Sequence, residues 1–209
     1  MNSVGPTLLV IAKSPAPGRV KTRLTPPCTP EQAAQLAGAA LSDTLAAASR
    51  TRRAARRVLV LDGAPGAWLP RDIEVVPQRG DGLAARLAAA FQAAGGPAFL
   101  VGMDTPQVTP ELLDAGLRAL EHADATFGAA LDGGYWGIGL RRGDPAVFRG
   151  VPMSEPQTGR AQRTRLAELG LRTTDLPPLR DVDTIADAHA VAAAAPHTRF
   201  ATTLMALNP

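Results

Sequence analysis

The residues best suited to chemistry in this chain are two lysines and a small set of aspartates, each beside glycine or proline. Of 22 Lys and Arg residues only Lys13 and Lys21 are lysines, and both fall in the first segment. A GC-rich coding bias toward Ala, Arg, Gly and Pro accounts for the arginine excess. The two remaining lysines are compact, strongly hydrated point charges of the kind phosphate sites use. With Arg19 and Arg23 they decorate the Pro/Gly loop 13–24, which can neutralise a pyrophosphate with cations and free backbone N–H groups. The alternative is a solvated basic loop. A phosphate loop of the G-x-x-x-x-G-K type does not fit, because Val20 precedes Lys21 and Pro15 stands where the earlier glycine belongs. No G-x-G-x-x-G follows the first apolar run either.

Asp104 lies in Gly102-Met-Asp-Thr-Pro106, directly after an apolar stretch. A carboxylate there can hold one Mg²⁺ or Mn²⁺, an ion that takes one or two protein carboxylates and completes its shell with phosphate and water oxygens. Alternatively it caps the turn that follows. Asp132-Gly-Gly-Tyr-Trp136 places an acid and two glycines beside the only tyrosine and one of two tryptophans. Close backbone approach by a ligand, with Tyr135 and Trp136 as a stacking platform, is one reading. A hairpin turn with core aromatics is the other. In Asp181-Val-Asp-Thr184, Asp183 or Thr184 suits a helix cap, leaving Asp181 freer to face a metal or an acceptor.

These segments need elements to position them. Residues 7–12 form a continuous apolar run, as in a strand buried on both faces of a parallel sheet. Thr29-Pro30-Glu31-Gln32 reads as a capped helix start, followed by Ala37, Ala40, Leu41, Leu45 and Ala48 at helical spacing. Strands are expected at 58–61, 73–76, 98–101, 125–130 and 135–140. Further helices are expected at 83–94, after Thr109-Pro110, at 161–169 and at 184–195, and a loosely packed terminus from His197 onward. Alternating strands and helices predict an α/β, Rossmann-like, mainly parallel sheet with helices on both faces, in a single domain over residues 1–209. Ligands of such sheets gather at the carboxyl ends of strands, where the three segments around Lys21, Asp104 and Asp132 fall.

Composition narrows the class. The 209 residues carry a formal charge of +3, which permits anionic ligands without calling for nucleic acid. One cysteine, Cys28, allows no internal disulfide and suits a reducing, cytoplasmic setting. No stretch is long and apolar enough for a membrane span, and residues 1–6 carry no export signal pattern. His122, His189 and His197 lack metal-ligand spacing. The arginines at 50, 52, 53, 56 and 57 read as a solvated face.

Lys21-Thr-Arg-Leu24, Gly102-Met-Asp-Thr-Pro106, Asp132-Gly-Gly-Tyr135 and Asp181-Val-Asp-Thr184, in this order, resemble a bacterial transferase family grouped with GT-A glycosyltransferases. Some of its members are labelled radical-SAM/selenodomain-associated transferases. A more distant likeness runs to 2-phospholactate and molybdenum-cofactor guanylyltransferases. The resemblance covers about residues 8–190 and implies a nucleotide-diphospho-sugar transferase fold with nucleotide over the N-terminal half. The nucleotide is then expected against Ala12, Lys13, Lys21, Arg23, Arg79, Arg86 and Asp104. Asp104 is implied as the metal ligand, with Asp181 or Asp183 as a second. Lys21 and Arg23 would offset leaving-group charge, Asp132 would orient an acceptor or act as base, and Gly133, Gly134, Tyr135 and Trp136 would line the acceptor side. The segment 153–155 departs from the family's Trp-Ser-Thr-like pattern. The expected activity is Mg²⁺- or Mn²⁺-dependent transfer from a nucleotide sugar to a small acceptor. The alternatives are nucleotidyl transfer from an NTP to a phosphorylated acceptor, or a nucleotide-binding protein without turnover. The residues leave open the donor, the acceptor and the oligomeric state.

Overall fold

Seven strands form one mixed sheet in the order β3-β2-β1-β4-β6-β5-β7, in a computed structural model that describes residues 5–209. Residues 1–4, part of the segment read as lacking an export signal, lie outside the described residues. The strands are β1 (Thr7–Lys13), β2 (Arg56–Asp62), β3 (Glu74–Pro77), β4 (Ala98–Gly102), β5 (Ala125–Ala130), β6 (Tyr135–Leu140) and β7 (Thr173–Leu179). The helices are α1 (Pro30–Ser49), α2 (Gly82–Ala94), α3 (Pro110–Ala119), α4 (Thr158–Glu168), α5 (Ile185–Ala194) and α6 (Arg199–Leu207). Only β6 runs against its neighbours; β1 pairs in parallel with both β2 and β4, and β5 with β7.

The apolar run of β1 is buried because helices cover both sheet faces. Leu8 and Val10 face α1 and α3 through Leu41, Leu45, Leu113 and Leu117. Leu9 faces α2 and α4 through Leu87, Phe91 and Leu166. Helix α1 starts as expected: Thr29 Oγ1 accepts from the Gln32 amide at 3.2 Å, and Gln32 Oε1 accepts from the Thr29 amide at 2.8 Å. Its alanine-rich second face, Ala33, Leu36 and Ala40, is covered by α5 and α6 through Ala188, Val191, Phe200 and Leu204.

Two elements differ from the sequence expectation. The segment 173–179, where no strand was expected, forms β7; it pairs with β5 at the sheet edge, where its Pro177 and Pro178 are tolerated. The tail from His197 is not loosely packed. Thr198 caps α6 by accepting from the Ala201 amide, and Asp43 on α1 accepts from the amides of Arg199 and Phe200 at 3.1 and 2.8 Å. The arginine run is held by local partners: Arg53 pairs with Glu121, Arg56 with Glu74, and Arg57 donates to the Ala48 carbonyl. Among the described residues no helix is long and apolar enough to cross a membrane.

If α6 closes the outer side of α1, Phe200→Ala should cost about 3 kcal/mol, a fall of roughly 6–12 °C in Tm by calorimetry. A change below about 2 °C would show that the tail packs without contributing.

Candidate active site

Lys21 is the centre of the site, and the backbone is bent to bring it there. It adopts a left-handed conformation (φ 49°) just before the 3-10 turn Thr22–Leu24, whose Leu24 is fully buried. The lysine side chain turns inward and is only 8 % exposed. Its Nζ lies 2.8 Å from Asp104 Oδ1 and 3.5 Å from Asp183 Oδ1, and donates to the Val182 carbonyl. Burial alone would lower its pKa; the charges of Asp104, Asp183 and Asp181 and the Asp104 hydrogen bond outweigh that and raise it, so it stays an ammonium.

The three sequence segments meet because of the sheet. Asp104 follows β4, beside β1, while residues 181–183 follow β7 and are stitched to Asp104 by a Val182 amide to Asp104 carbonyl hydrogen bond of 2.9 Å. Gln107 Nε2 adds a 2.7 Å bond to the Arg180 carbonyl. Thr184 caps α5 in a capping box with Asp187, which leaves Asp183 for Lys21 and for Arg23, 2.9 Å away.

Asp181 is different. Its Oδ1 is buried with no hydrogen-bond partner among the described residues. Burial first, then the charges of Asp104 and Asp132, with Asp183 adding and Lys21 opposing, push its carboxyl up to about 7. A partnerless carboxylate oxygen among other carboxylates suits a hard divalent cation bound through oxygen. The protein does not supply a finished cage: among the described residues no group of three or more His, Cys, Asp or Glu stands ready to hold a metal. Of the two alternatives expected for a second carboxylate beside Asp104, Asp183 is engaged by both Lys21 and Arg23, while Asp181 keeps an oxygen with no partner among the described residues.

Around this centre opens a cleft of about 900 Å³. Ala12, Lys13, Arg19, Lys21, Arg23, Arg86 and Asp104 line it on the N-terminal side. Arg86 donates to Asp62 at 3.2 Å and to Gln78 Oε1 at 3.0 Å, while Gln78 Nε2 reaches the carbonyls of Ala12 and Val60. Gln78 was not foreseen, since nothing in its local sequence marks a residue that satisfies strand ends. Arg79, expected beside the nucleotide, is exposed and does not line the cleft.

The Asp132 turn changes most. Asp132 is exposed at the rim, and its Oδ1 accepts from the Gly134 amide at 2.9 Å. Tyr135 and Trp136 do not form one platform, because adjacent strand residues face opposite sides of the sheet. Trp136 is buried against Phe99, with its indole N–H on the Pro177 carbonyl at 3.0 Å. Tyr135 packs at 5.4 Å from Phe127 on the other side. Gly133 is not in the cleft lining and sits against the loop before α4. At φ 93° it lies so close to the loop before α4 that a Cβ would sit 1.9 Å from the Pro156 carbonyl oxygen. Gly134, Tyr135 and Trp136 do line the cleft, as do Met153, Ser154 and Glu155.

Fold and site together define a Rossmann-like nucleotide-diphospho-sugar transferase architecture. A crystal structure from Desulfovibrio desulfuricans G20, provisionally described as a nucleotide-diphospho-sugar transferase, is 28 % identical with a TM-score of 0.89, over 97 % of this chain and 95 % of that one. CMP:2-keto-3-deoxy-manno-octonic acid synthetase complexed with CTP shares the fold at 14 % identity and TM-score 0.59, covering 92 % and 99 %. Rv0371C from Mycobacterium tuberculosis H37Rv in complex with manganese does so at 22 % and 0.54, covering 91 % and 98 %. No curated protein matches the sequence. The chain belongs to the bacterial family described as "Uncharacterized protein conserved in bacteria (DUF2064)", matched over residues 32–155. That stretch contains Asp104 and Asp132 but neither Lys21 nor the 181–183 segment.

Two stability measurements test this electrostatic arrangement. Lys21→Met removes the buried ammonium and should cost roughly 2 kcal/mol, less than a fully buried pair because Asp104 is 40 % exposed; Mn²⁺ should restore the loss. An unchanged Tm would refute the pairing. Asp181 has a raised folded-state pKa, so its contribution is full below about pH 4 and is lost as pH rises through about 7. Asp181→Asn should therefore melt higher than the parent at pH 8, by about 5 °C, with little difference at pH 4. Equal melting at pH 8 would contradict the assignment.

Proposed function

We infer that the protein is a metal-dependent transferase acting on a nucleotide-activated substrate, and that the reaction is glycosyl transfer from a nucleotide-diphosphate sugar. What carries this reading is the meeting of Lys21, Asp104 and the partnerless Asp181 in one cleft at the carboxyl ends of the strands. The 28 % identical relative described as a nucleotide-diphospho-sugar transferase supports the donor class, and the manganese complex of Rv0371C supports a divalent ion. The narrower likeness to radical-SAM/selenodomain-associated transferases belongs to the same reading.

Asp104 and Asp181 would hold a Mg²⁺ or Mn²⁺, which when bound acts as a Lewis acid on the diphosphate. Lys13, Lys21 and Arg23 bind the phosphates, and Lys21 and Arg23 offset the charge that grows on the departing nucleoside diphosphate. Ala12 and Arg86 flank the nucleoside. Asp132 sits on the opposite rim and accepts the proton of the attacking acceptor hydroxyl, as the sugar–phosphate bond breaks and the new glycosidic bond forms.

A second reading, nucleotidyl transfer from an NTP, is favoured by the four cations on the 13–24 loop, more than a diphosphate requires. The CTP complex sharing the fold points the same way. Incubation with each nucleotide sugar and each NTP plus Mn²⁺, read by mass spectrometry, separates them. Nucleoside diphosphate and a glycosylated product are expected; pyrophosphate release would establish the second reading. Asp104→Ala should lower turnover by about 10²-fold or more. Full activity in that variant would remove Asp104 from the site.

A further inference from the structure

The charged residues of the cleft are sorted by sign along the chain. Its cations, Lys13, Arg19, Lys21, Arg23 and Arg86, all come from the N-terminal half. From residue 132 onward the lining contributes Asp132, Glu155, Asp181, Asp183 and Asp187, and among the described residues no Lys, Arg or His. Three arginines near this half have partners of their own. Arg163 lies over the Phe127 ring at 4.5 Å and pairs with Asp175 at 2.7 Å. Arg165 donates to the Ala146 carbonyl and pairs with Glu168, and Arg180 pairs with Asp187 at 2.9 Å.

Two further observations describe what this half could bind. The Tyr135 hydroxyl is held protonated by burial, and its one partner is Met153 Sδ at 3.9 Å, a weak acceptor. It is therefore available to donate to a ligand oxygen. Met153, in the same lining and beside the tyrosine, offers apolar surface on this half.

We propose that the acceptor is an uncharged or amine-bearing hydroxyl compound with one apolar face, and that Glu155 and Asp132 exclude phosphorylated acceptors. The proposal rests on the transferase reading of the cleft. A phosphate group meets the cations of the 13–24 loop on the donor side, whereas on the acceptor side Asp132 and Glu155 have no cation beside them in the lining among the described residues. Discrimination there comes from repulsion as much as from attraction. The hydroxyl that attacks would lie between Asp132 and Tyr135, its proton passing to Asp132 as the nucleoside diphosphate leaves.

The test begins by finding which of UDP, GDP, ADP and CDP, with Mn²⁺, raises Tm. If none does, the transferase reading itself fails and takes this inference with it. The protein saturated with the effective nucleotide is then titrated calorimetrically with glucosamine, glucose and glucose 6-phosphate. Glucosamine and glucose should bind at least about tenfold more tightly than glucose 6-phosphate. Glu155→Lys, at an exposed side chain that accepts a hydrogen bond from Gln157, should tighten glucose 6-phosphate by about tenfold, and Glu155→Gln by less. Glucose 6-phosphate binding the unaltered protein as tightly as glucosamine would overturn the proposal. So would a Glu155→Lys variant that gains no affinity for it, whatever the unaltered protein binds.

Discussion

Everything at this site depends on one buried ammonium. Lys21 Nζ lies between Asp104 and Asp183, two carboxylates from segments about 80 residues apart in sequence, and on the Val182 carbonyl between Asp181 and Asp183. Without that charge, three aspartates would face one another in a partly desolvated pocket, an arrangement that costs free energy unless a cation intervenes. The lysine balances only part of the negative charge. The remainder shows in Asp181, which keeps a partnerless oxygen and a carboxyl pushed up to about 7. A site left electrostatically incomplete in this way is suited to accept a metal–phosphate ligand.

The fold supplies the convergence. Parallel β1 and β4 lie side by side, so the loop after one and Gly102-Met-Asp-Thr-Pro106 after the other leave the sheet at the same edge. Strand β7, parallel to β5, delivers residues 181–183 to that edge, and α5 and α6 lock the delivery by packing on the outer face of α1. Helix α1 is thus buried on two sides. Alanine at so many of its positions serves close approach by neighbouring helices as well as helix propensity.

Much of this could be read from residue pattern. The capping box at Thr29, the proline-led start at Thr109-Pro110 and the apolar runs of β1, β4 and β5 are local signals, and the structure realises each. Lys21 stood out because lysine is rare here, Asp104 because it followed an expected strand end, and Asp181 because Asp183 or Thr184 suited the helix cap. What could not be read was long-range or two-sided. Asp183 is engaged by Lys21 and Arg23 from across the chain, and Gly133 is explained only by the Pro156 carbonyl it touches. Trp136 joined Tyr135 in one expected platform because adjacency in sequence was read as adjacency on one face. β pleating sends them apart. No strand was expected at β7, whose two prolines an edge strand accommodates. Helix α6 was hidden by its position at the chain end, although Thr198, Phe200 and Leu204 carried its cap and apolar spacing.

The central claim is that Asp104 and Asp181 await a divalent ion carried in with a nucleotide, beside Lys21. Anomalous diffraction from a crystal soaked with Mn²⁺ and the stabilising nucleoside diphosphate tests it most directly. The account predicts one manganese peak bridging the Asp104 and Asp181 carboxylates and the diphosphate oxygens, with Lys21 Nζ contacting phosphate. A nucleotide bound with manganese away from both carboxylates, or with its diphosphate outside the reach of Lys21, would contradict it.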